Sequence, residues 1–449
     1  MYSRLLLAVG LFIAMNGKSQ TKVTLITLDP GHFHAALVQK QMYPQVDPVV
    51  YVYAKKGADL NLHLDKIKGY NEAKIGATKW KETVYEGSDY LQKMLQEKKG
   101  NVVVLAGNNQ LKTDYILKSI QAGLNVFSDK PMVIDEKGFQ KLKTAFELAQ
   151  KKKLLLYDIM TERYEITTQL QRAFSMQPAL FGQLQKGSLE EPAVTKESVH
   201  HFYKYVSGSV LTRPGWFFDV AQEGEGIVDV TTHLVDLVQW ECFPNVQLNY
   251  LKDIKIQKAK SWPTTITKAQ FSEVTKLTEM PKYLDKYASA NKDINVLSNG
   301  EINYTLKGVH AKVSVVWNYK APDGTGDTHY SIMRGTKANL VIRQAAEQLF
   351  KPTLYIEPLQ HNEAVDAAVE NVVKIVAKNY PGISLKKNEK GWELLIPDSY
   401  KDGHEAHFGK VAEKYLDYLE HQNMPTWEIP NMIAKYYTTT QAQKLASKK

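Results

Sequence analysis

The chain has 449 residues, enough for two or three domains and a sizeable core. Its 43% hydrophobic and 23% charged content is that of an ordinary globular protein, and no internal repeat is seen along the chain. Lys and Arg outnumber Asp and Glu by 57 to 48. That excess is spread along the chain with no basic stripe interleaved with aromatics, so nucleic acid is not an expected partner.

Residues 1–20 read as a secretory leader. Arg4 supplies the positive start, Leu5–Met15 is an apolar run of 11 residues, and Gly17 and Ser19 suit a cut before Gln20. The run is too short to span a membrane. A periplasmic or secreted location is therefore expected. The single cysteine, Cys242, excludes an internal disulfide.

From residue 21 to about 160, β-branched runs alternate with helical patterns. Lys22–Leu28, Pro48–Ala54, Asn101–Ala106, Asn125–Ser128 and Leu154–Tyr157 read as strands. Asp89–Lys98, Thr113–Ala122 and Phe139–Lys152 read as helices between them. This pattern predicts an α/β unit, a doubly wound parallel Rossmann sheet. Residues 161–449 form a second unit. Glu165–Phe174 starts it as a helix, and Phe181–Leu189 and Ser198–Tyr205 are strand-like. Val246–Ala259, Glu301–Thr305, Ala311–Asn318, His329–Met333 and Leu340–Arg343 follow without intervening helices, which predicts a large, mostly antiparallel open sheet. Trp262–Leu297, rich in Lys and Thr, reads as a surface insertion. Glu363–Asn379 and His404–Gln422 are amphipathic helices, and Ile429–Ala446 a partly frayed one.

Between Ser198–Tyr205 and Val246–Ala259 lies Glu225–Trp240, EGIVDVTTHLVDLVQW, apolar nearly all round and so buried. At helical period Asp229, His233 and Asp236 share a face. Carboxylates and an imidazole survive in a core only by satisfying each other or by meeting something else. Two readings stand: an internal His–Asp pair holding domains together, or a proton-transfer site. Gly224 and Gly226 permit a tight turn into the helix.

In a doubly wound sheet a dinucleotide crosses the carboxyl ends of the strands, its pyrophosphate at the first helix. The turn here is DPGHFH, Asp29–His34, which keeps only Gly31 of a G-x-G-x-x-G frame. Gly31, His32 and Phe33 are its candidate cofactor contacts. Ala54 stands where an acidic residue selective for NAD is expected, and Lys55 suits a 2′-phosphate. Gly107, Asn108 and Asn109 end the third strand and are placed to line a cofactor edge. Lys130, stiffened by Pro131, ends the fourth and faces the same crevice. His32, His34, His200, His201 and His404 read as scattered groups with local partners, and no metal site is expected.

SDKPM, Ser128–Met132, resembles the Glu-Lys-Pro element of the Gfo/Idh/MocA oxidoreductases. AGNNQLKTDYILKSIQAGLNVFSDKP is similar to the family's stretch leading to that Lys-Pro. PGWFFDVAQEGEGIVDVTTHLVDLVQW resembles its W…G-G-G…D-x-x-x-H-x-x-D…W segment, and HFGKVAEKYLDYLEH its closing helix. The resemblance implies an NAD- or NADP-dependent oxidoreductase acting on a sugar or polyol, with Lys130, Asp229 and His233 as the catalytic set. It also implies Arg163, Tyr164, Trp216 and Asp236 on the substrate side, and a homo-oligomer formed through the second sheet. Two departures stand out: the degenerate glycine turn and Asp129 in place of Glu. An exported member carries its cofactor with it, which favours redox-neutral chemistry. The alternatives are an NAD-dependent glycosidase or lyase working by oxidation, elimination and reduction, and a non-catalytic carbohydrate-binding protein on a Rossmann-like frame.

Overall fold

Short runs such as LITL and VVVL are buried along their whole length, which only a parallel sheet covered on both faces provides. The computed structural model describes residues 22–448 apart from 207, 208 and 323. The expected leader thus lies outside the described residues. The first sheet holds β1 (Leu25–Leu28), β2 (Val49–Ala54), β3 (Lys81–Glu86), β4 (Val102–Leu105), β5 (Asn125–Asp129) and β6 (Leu156–Ile159). All are parallel, in the order β3-β2-β1-β4-β5-β6. The order reverses between β1 and β4, so the turns that follow them flank a crevice at their carboxyl ends.

β3 is absent from the sequence reading. It is an edge strand, KETVYE, with no buried residue, so hydrophobic alternation cannot mark it. Its pairing with β2, Val50 beside Glu82 and Val52 beside Val84, is what makes it a strand.

The second sheet has nine strands. They are β7 (Val194–Tyr203), β10 (Ile254–Ile266), β11 (Ile294–Leu306), β12 (Val309–Lys320), β13 (Thr328–Arg334), β14 (Ala338–Arg343), β15 (Thr353–Pro358), β16 (Ser384–Asn388) and β17 (Gly391–Leu395). β8 (Tyr205–Val206) and β9 (Ser209–Val210) form a separate hairpin. The order is β10-β11-β12-β7-β13-β14-β15-β17-β16, antiparallel except for the β7–β12 pair. The Thr231–Cys242 helix lies in the core of this unit, with Leu234, Val235 and Val238 packed beside Ile302 and Val313.

Three sequence expectations change. Trp262–Leu297 is no surface insertion: it contains the end of β10 and a helix, Lys268–Thr275, opened by a Thr267–Gln270 capping box. Its Phe271, Val274, Leu284 and Ile294 are fully buried with Trp216, Phe218 and Trp317 in a third core. Phe181–Leu189 is a loop with two isolated bridges, Leu184 to Gly335 and Gly187 to Pro192. The final helix, Glu428–Ala446, is not frayed: Lys435, Tyr436 and Thr438–Thr440 are sealed from solvent. Together with the His404–His421 helix it returns to the first unit, where Phe408, Tyr415 and Tyr436 complete the core under the parallel sheet. No helix among the described residues is long and apolar enough to cross a membrane.

Candidate active site

The turn after β1 is held by its own side chains. Asp29 sits in the left-handed region at φ 50°, and its Oδ2 accepts from the hydroxyls of Tyr115 at 2.8 Å and Tyr90 at 3.3 Å. The amides of Gly31 and His32 both donate to the Ala106 carbonyl at 3.2 Å. Gly107 has to be glycine, because a Cβ there would lie 2.4 Å from the Asp29 carbonyl oxygen. The following helix is one turn long, His34–Leu37. On the open side of the turn, a Cβ on Gly31 would meet Trp216 at 3.1 Å and Asp59 at 3.2 Å. Those two are joined by a bond from Trp216 Nε1 to Asp59 Oδ2 at 2.8 Å.

Beside this turn a cleft of about 1600 Å³ runs between the two units. Lys130 reaches it from the end of β5, Asp229 from the turn before the Thr231–Cys242 helix, and His233 from that helix's first turn. Lys130 Nζ donates to Asp229 Oδ1, an ion pair that joins the two units. The turn carrying Asp229 is fixed by Gly226, whose Cβ would lie 1.8 Å from the Ser298 carbonyl oxygen on β11. Burial alone would lower the Lys130 ammonium, but the Asp229 and Asp129 carboxylates outweigh it and hold the group above its ordinary value. Burial and the nearby Lys130 charge keep His233 neutral, well below the usual imidazole value. Its Nδ1 is buried without a partner.

Asn109 donates to the Glu223 carbonyl at 2.7 Å and to its carboxylate at 3.2 Å, while its own Oδ1 has no partner. Asn108 caps the Asn109–Gln121 helix and bonds Gln222 at 2.7 Å. The turn after β4 is thereby tied to the second unit. Burial and the neighbouring Asp229 push the Glu223 carboxyl well above its usual range. Glu162, also on the cleft, is pushed up to about 7, first by burial and then by Glu165.

Asp129 stands out in the sequence only as a replacement for Glu, and its meeting with His34 is not legible there. Its Oδ2 lies 2.9 Å from His34 Nδ1 and 3.5 Å from His32 Nδ1. Burial would raise the Asp129 carboxyl, but the imidazoles and Lys112 hold it well below its usual value. These residues lie 95 positions apart, and only the β1–β4–β5 order brings them together. His200, His201 and Lys204 similarly gather on Asp327 at 3.1, 3.2 and 2.7 Å.

Four residues assigned to the substrate side lie elsewhere. Arg163 grips Asp236 through Nε at 2.6 Å and Nη2 at 2.8 Å, and reaches Glu428 at 3.0 Å. Asp236 is only 2% exposed and also bonds Lys435 at 2.8 Å, so it faces the final helix rather than the cleft. Tyr164 packs against the core under the parallel sheet, and Trp216 covers Gly31. None of the four lines the cleft. Nor does Lys55, whose ammonium lies over the Tyr90 ring at 5.9 Å.

Comparison with known proteins identifies the family. Residues 50–158 match "Oxidoreductase family, NAD-binding Rossmann fold" and residues 170–447 match "Putative oxidoreductase C terminal domain". A crystal structure of a "putative oxidoreductase" from Parabacteroides merdae shares 53% identity, with a TM-score of 0.93 over 95% of this chain and 98% of that one. The chain belongs to the Gfo/Idh/MocA oxidoreductase family. This oxidoreductase shares its fold with two more distant structures. One is a 3-ketoreductase from Actinomadura kijaniata, in complex with TDP-benzene and NADP: 13% identity, TM-score 0.55, 94% of this chain and 97% of that one. The other is a levoglucosan dehydrogenase in complex with NADH and L-sorbose: 10% identity, TM-score 0.59, 95% and 97%. No curated protein matches the chain.

As a member of the family the oxidoreductase uses NAD or NADP. Its residues fit that cofactor at the nicotinamide end, where Gly107, Asn109 and Lys130 line the cleft and Asn109 Oδ1 waits without a donor. The phosphate end is narrower. Trp216 and Asp59 fill the space over Gly31, so the indole has to swing away for a pyrophosphate to approach that backbone.

Proposed function

We propose that this oxidoreductase interconverts a hydroxyl and a carbonyl on a carbohydrate held in the cleft, with Lys130, Asp229 and His233 as the reacting set. The observation that carries the reading is the ion pair of Lys130 with Asp229 across the two units, on the same cleft as a neutral, unpartnered imidazole. His233 Nδ1 takes the hydroxyl proton. The Lys130 ammonium donates to the same oxygen as negative charge grows on it, and Asp229 holds that ammonium in place. A bound nicotinamide supplies the hydride acceptor. In the oxidative direction His233 holds the proton taken from the alcohol, and in the reductive direction it returns that proton to the carbonyl oxygen.

The polar walls of the cleft, with Glu162, Glu223, His200 and Lys204, suit a polyhydroxylated substrate. The levoglucosan dehydrogenase, solved with L-sorbose, supports the same substrate class. The Arg4-led apolar leader supports export. An exported chain that keeps its cofactor carries out redox-neutral turnover. The nine-stranded sheet is the surface proposed for homo-oligomerisation. The test presents free aldoses, methyl glycosides and inositol to the purified chain with NAD or NADP. It follows the reduced-nicotinamide band and analyses products. Sugar oxidation or a keto-sugar product is expected; no sugar turnover with either dinucleotide overturns the reading.

A further inference from the structure

The crevice of this fold ordinarily presents a glycine-lined phosphate turn. Here that turn carries two imidazoles, and it lies outside the stretch matched to the NAD-binding family, which begins at residue 50. His32, His34 and Asp129 offer one ligand atom each, all within 4.8 Å of one another. We propose that His32 Nδ1, His34 Nδ1 and Asp129 Oδ2 bind one divalent transition-metal ion of the zinc class, open to the cleft next to Lys130.

Three observations support the site. The first is spacing. Metal bonds of about 2.1 Å in tetrahedral array place ligand atoms about 3.4 Å apart. The Asp129 oxygen already lies 2.9 Å and 3.5 Å from the two Nδ1 atoms.

The second is the donor set. Two imidazoles and one carboxylate suit zinc and its first-row neighbours, and three protein ligands leave a coordination position for substrate or water. His32, His34, Asp129 and Lys130 all line the same cleft, so that position faces the proposed substrate.

The third is outer support. Metal-binding imidazoles and carboxylates have their remaining polar atoms tied down. His34 Nε2 lies 3.4 Å from His404 Nε2, and Asp129 Oδ1 accepts from the Lys130 amide at 2.9 Å. Asp129 ends a central strand and His34 starts a helix, so both are held by rigid backbone. His32 Nδ1 is buried with no hydrogen bond of its own.

An ion here adds a Lewis acid to the cleft that Lys130 also lines. The site does not depend on the dinucleotide. The test is therefore made without NAD or sugar, on the untagged full-length chain dialysed against chelator. Zinc, manganese and, as a control, magnesium are added separately. Bound metal is counted by mass spectrometry, thermal unfolding is followed, and cobalt reports coordination by its visible spectrum. One zinc per chain is expected, with a raised melting temperature and a tetrahedral cobalt spectrum. H32Q and H34Q should lose stoichiometric binding while staying folded, and H404A should weaken it by about 10–100-fold. Substoichiometric zinc with no thermal shift overturns the proposal, as does undiminished binding by the H32Q/H34Q double variant. Neither result bears on the carbohydrate reading, which is decided by product formation.

Discussion

Replacing Lys435 by methionine should destabilise the protein severely, and the cause is visible in the charges it leaves behind. The Lys435 ammonium is fully buried, 2.7 Å from Asp158 and 2.8 Å from Asp236. Arg163 binds Asp236 and Glu428 from the other side. In K435M Asp158 would keep the Tyr436 hydroxyl without a cation, and Asp236 and Glu428 would share the Arg163 guanidinium. Methionine nearly fills the lost volume, so the cost is electrostatic rather than a cavity. Removing one partner from a buried ion pair costs about 3–5 kcal/mol. At roughly 2–4 °C per kcal/mol for a large domain, the melting temperature should fall on the order of 10 °C at pH 7.

The pH dependence provides a second readout. Burial would raise the Asp236 carboxyl, but Arg163 and Lys435 hold it well below its usual value. Its contribution is therefore fully present above the ordinary carboxylate range and is lost as the pH falls through the folded-state value. The gap between K435M and the unaltered chain should shrink on acidification from pH 7 toward pH 4, as the abandoned carboxylates take up protons. Thermal unfolding followed by circular dichroism measures both. A drop of less than about 2 °C, or a gap that ignores pH, refutes the electrostatic brace.

Trp216→Ala should uncover the Gly31 turn and tighten NADH binding measured by calorimetry; weaker binding would show that the indole is not in the way. Gly226→Ala should fail to fold, because its Cβ would lie 1.8 Å from the Ser298 carbonyl oxygen; soluble protein of normal melting temperature would contradict that packing. Glu162→Gln should remove an inflection near pH 7 from the activity profile, since Glu162 titrates at about 7 on the wall of the cleft; an unchanged profile would separate it from the reaction.

Much of the first unit was legible because its strands are continuous β-branched runs: LITL, VVYVYA and VVVL announce a parallel sheet by themselves. KETVYE did not, since an edge strand is specified by its neighbour rather than by its own apolar residues. In Trp262–Leu297 the core residues Phe271, Val274 and Leu284 are separated by Lys and Thr, which conceals a buried face. At the site, Lys130, Asp229 and His233 stand on the cleft together. Asp236 shares their sequence motif but turns to Arg163 and Lys435, so one end of the buried helix meets the cleft and the other is held by ion pairs, while His233 Nδ1 is left without the Asp partner that the first reading of this helix expects. The His32, His34 and Asp129 cluster was invisible for a topological reason. Its members become neighbours only when β5 is laid beside β4 and β4 beside β1.

The most direct test of the account is single-turnover kinetics of His233→Ala on whichever sugar the unaltered chain oxidises, with melting temperature recorded alongside. Loss of the proton acceptor predicts a rate lower by about 10²–10⁴-fold at nearly unchanged stability, whereas turnover equal to that of the unaltered chain would contradict the assignment of the cleft.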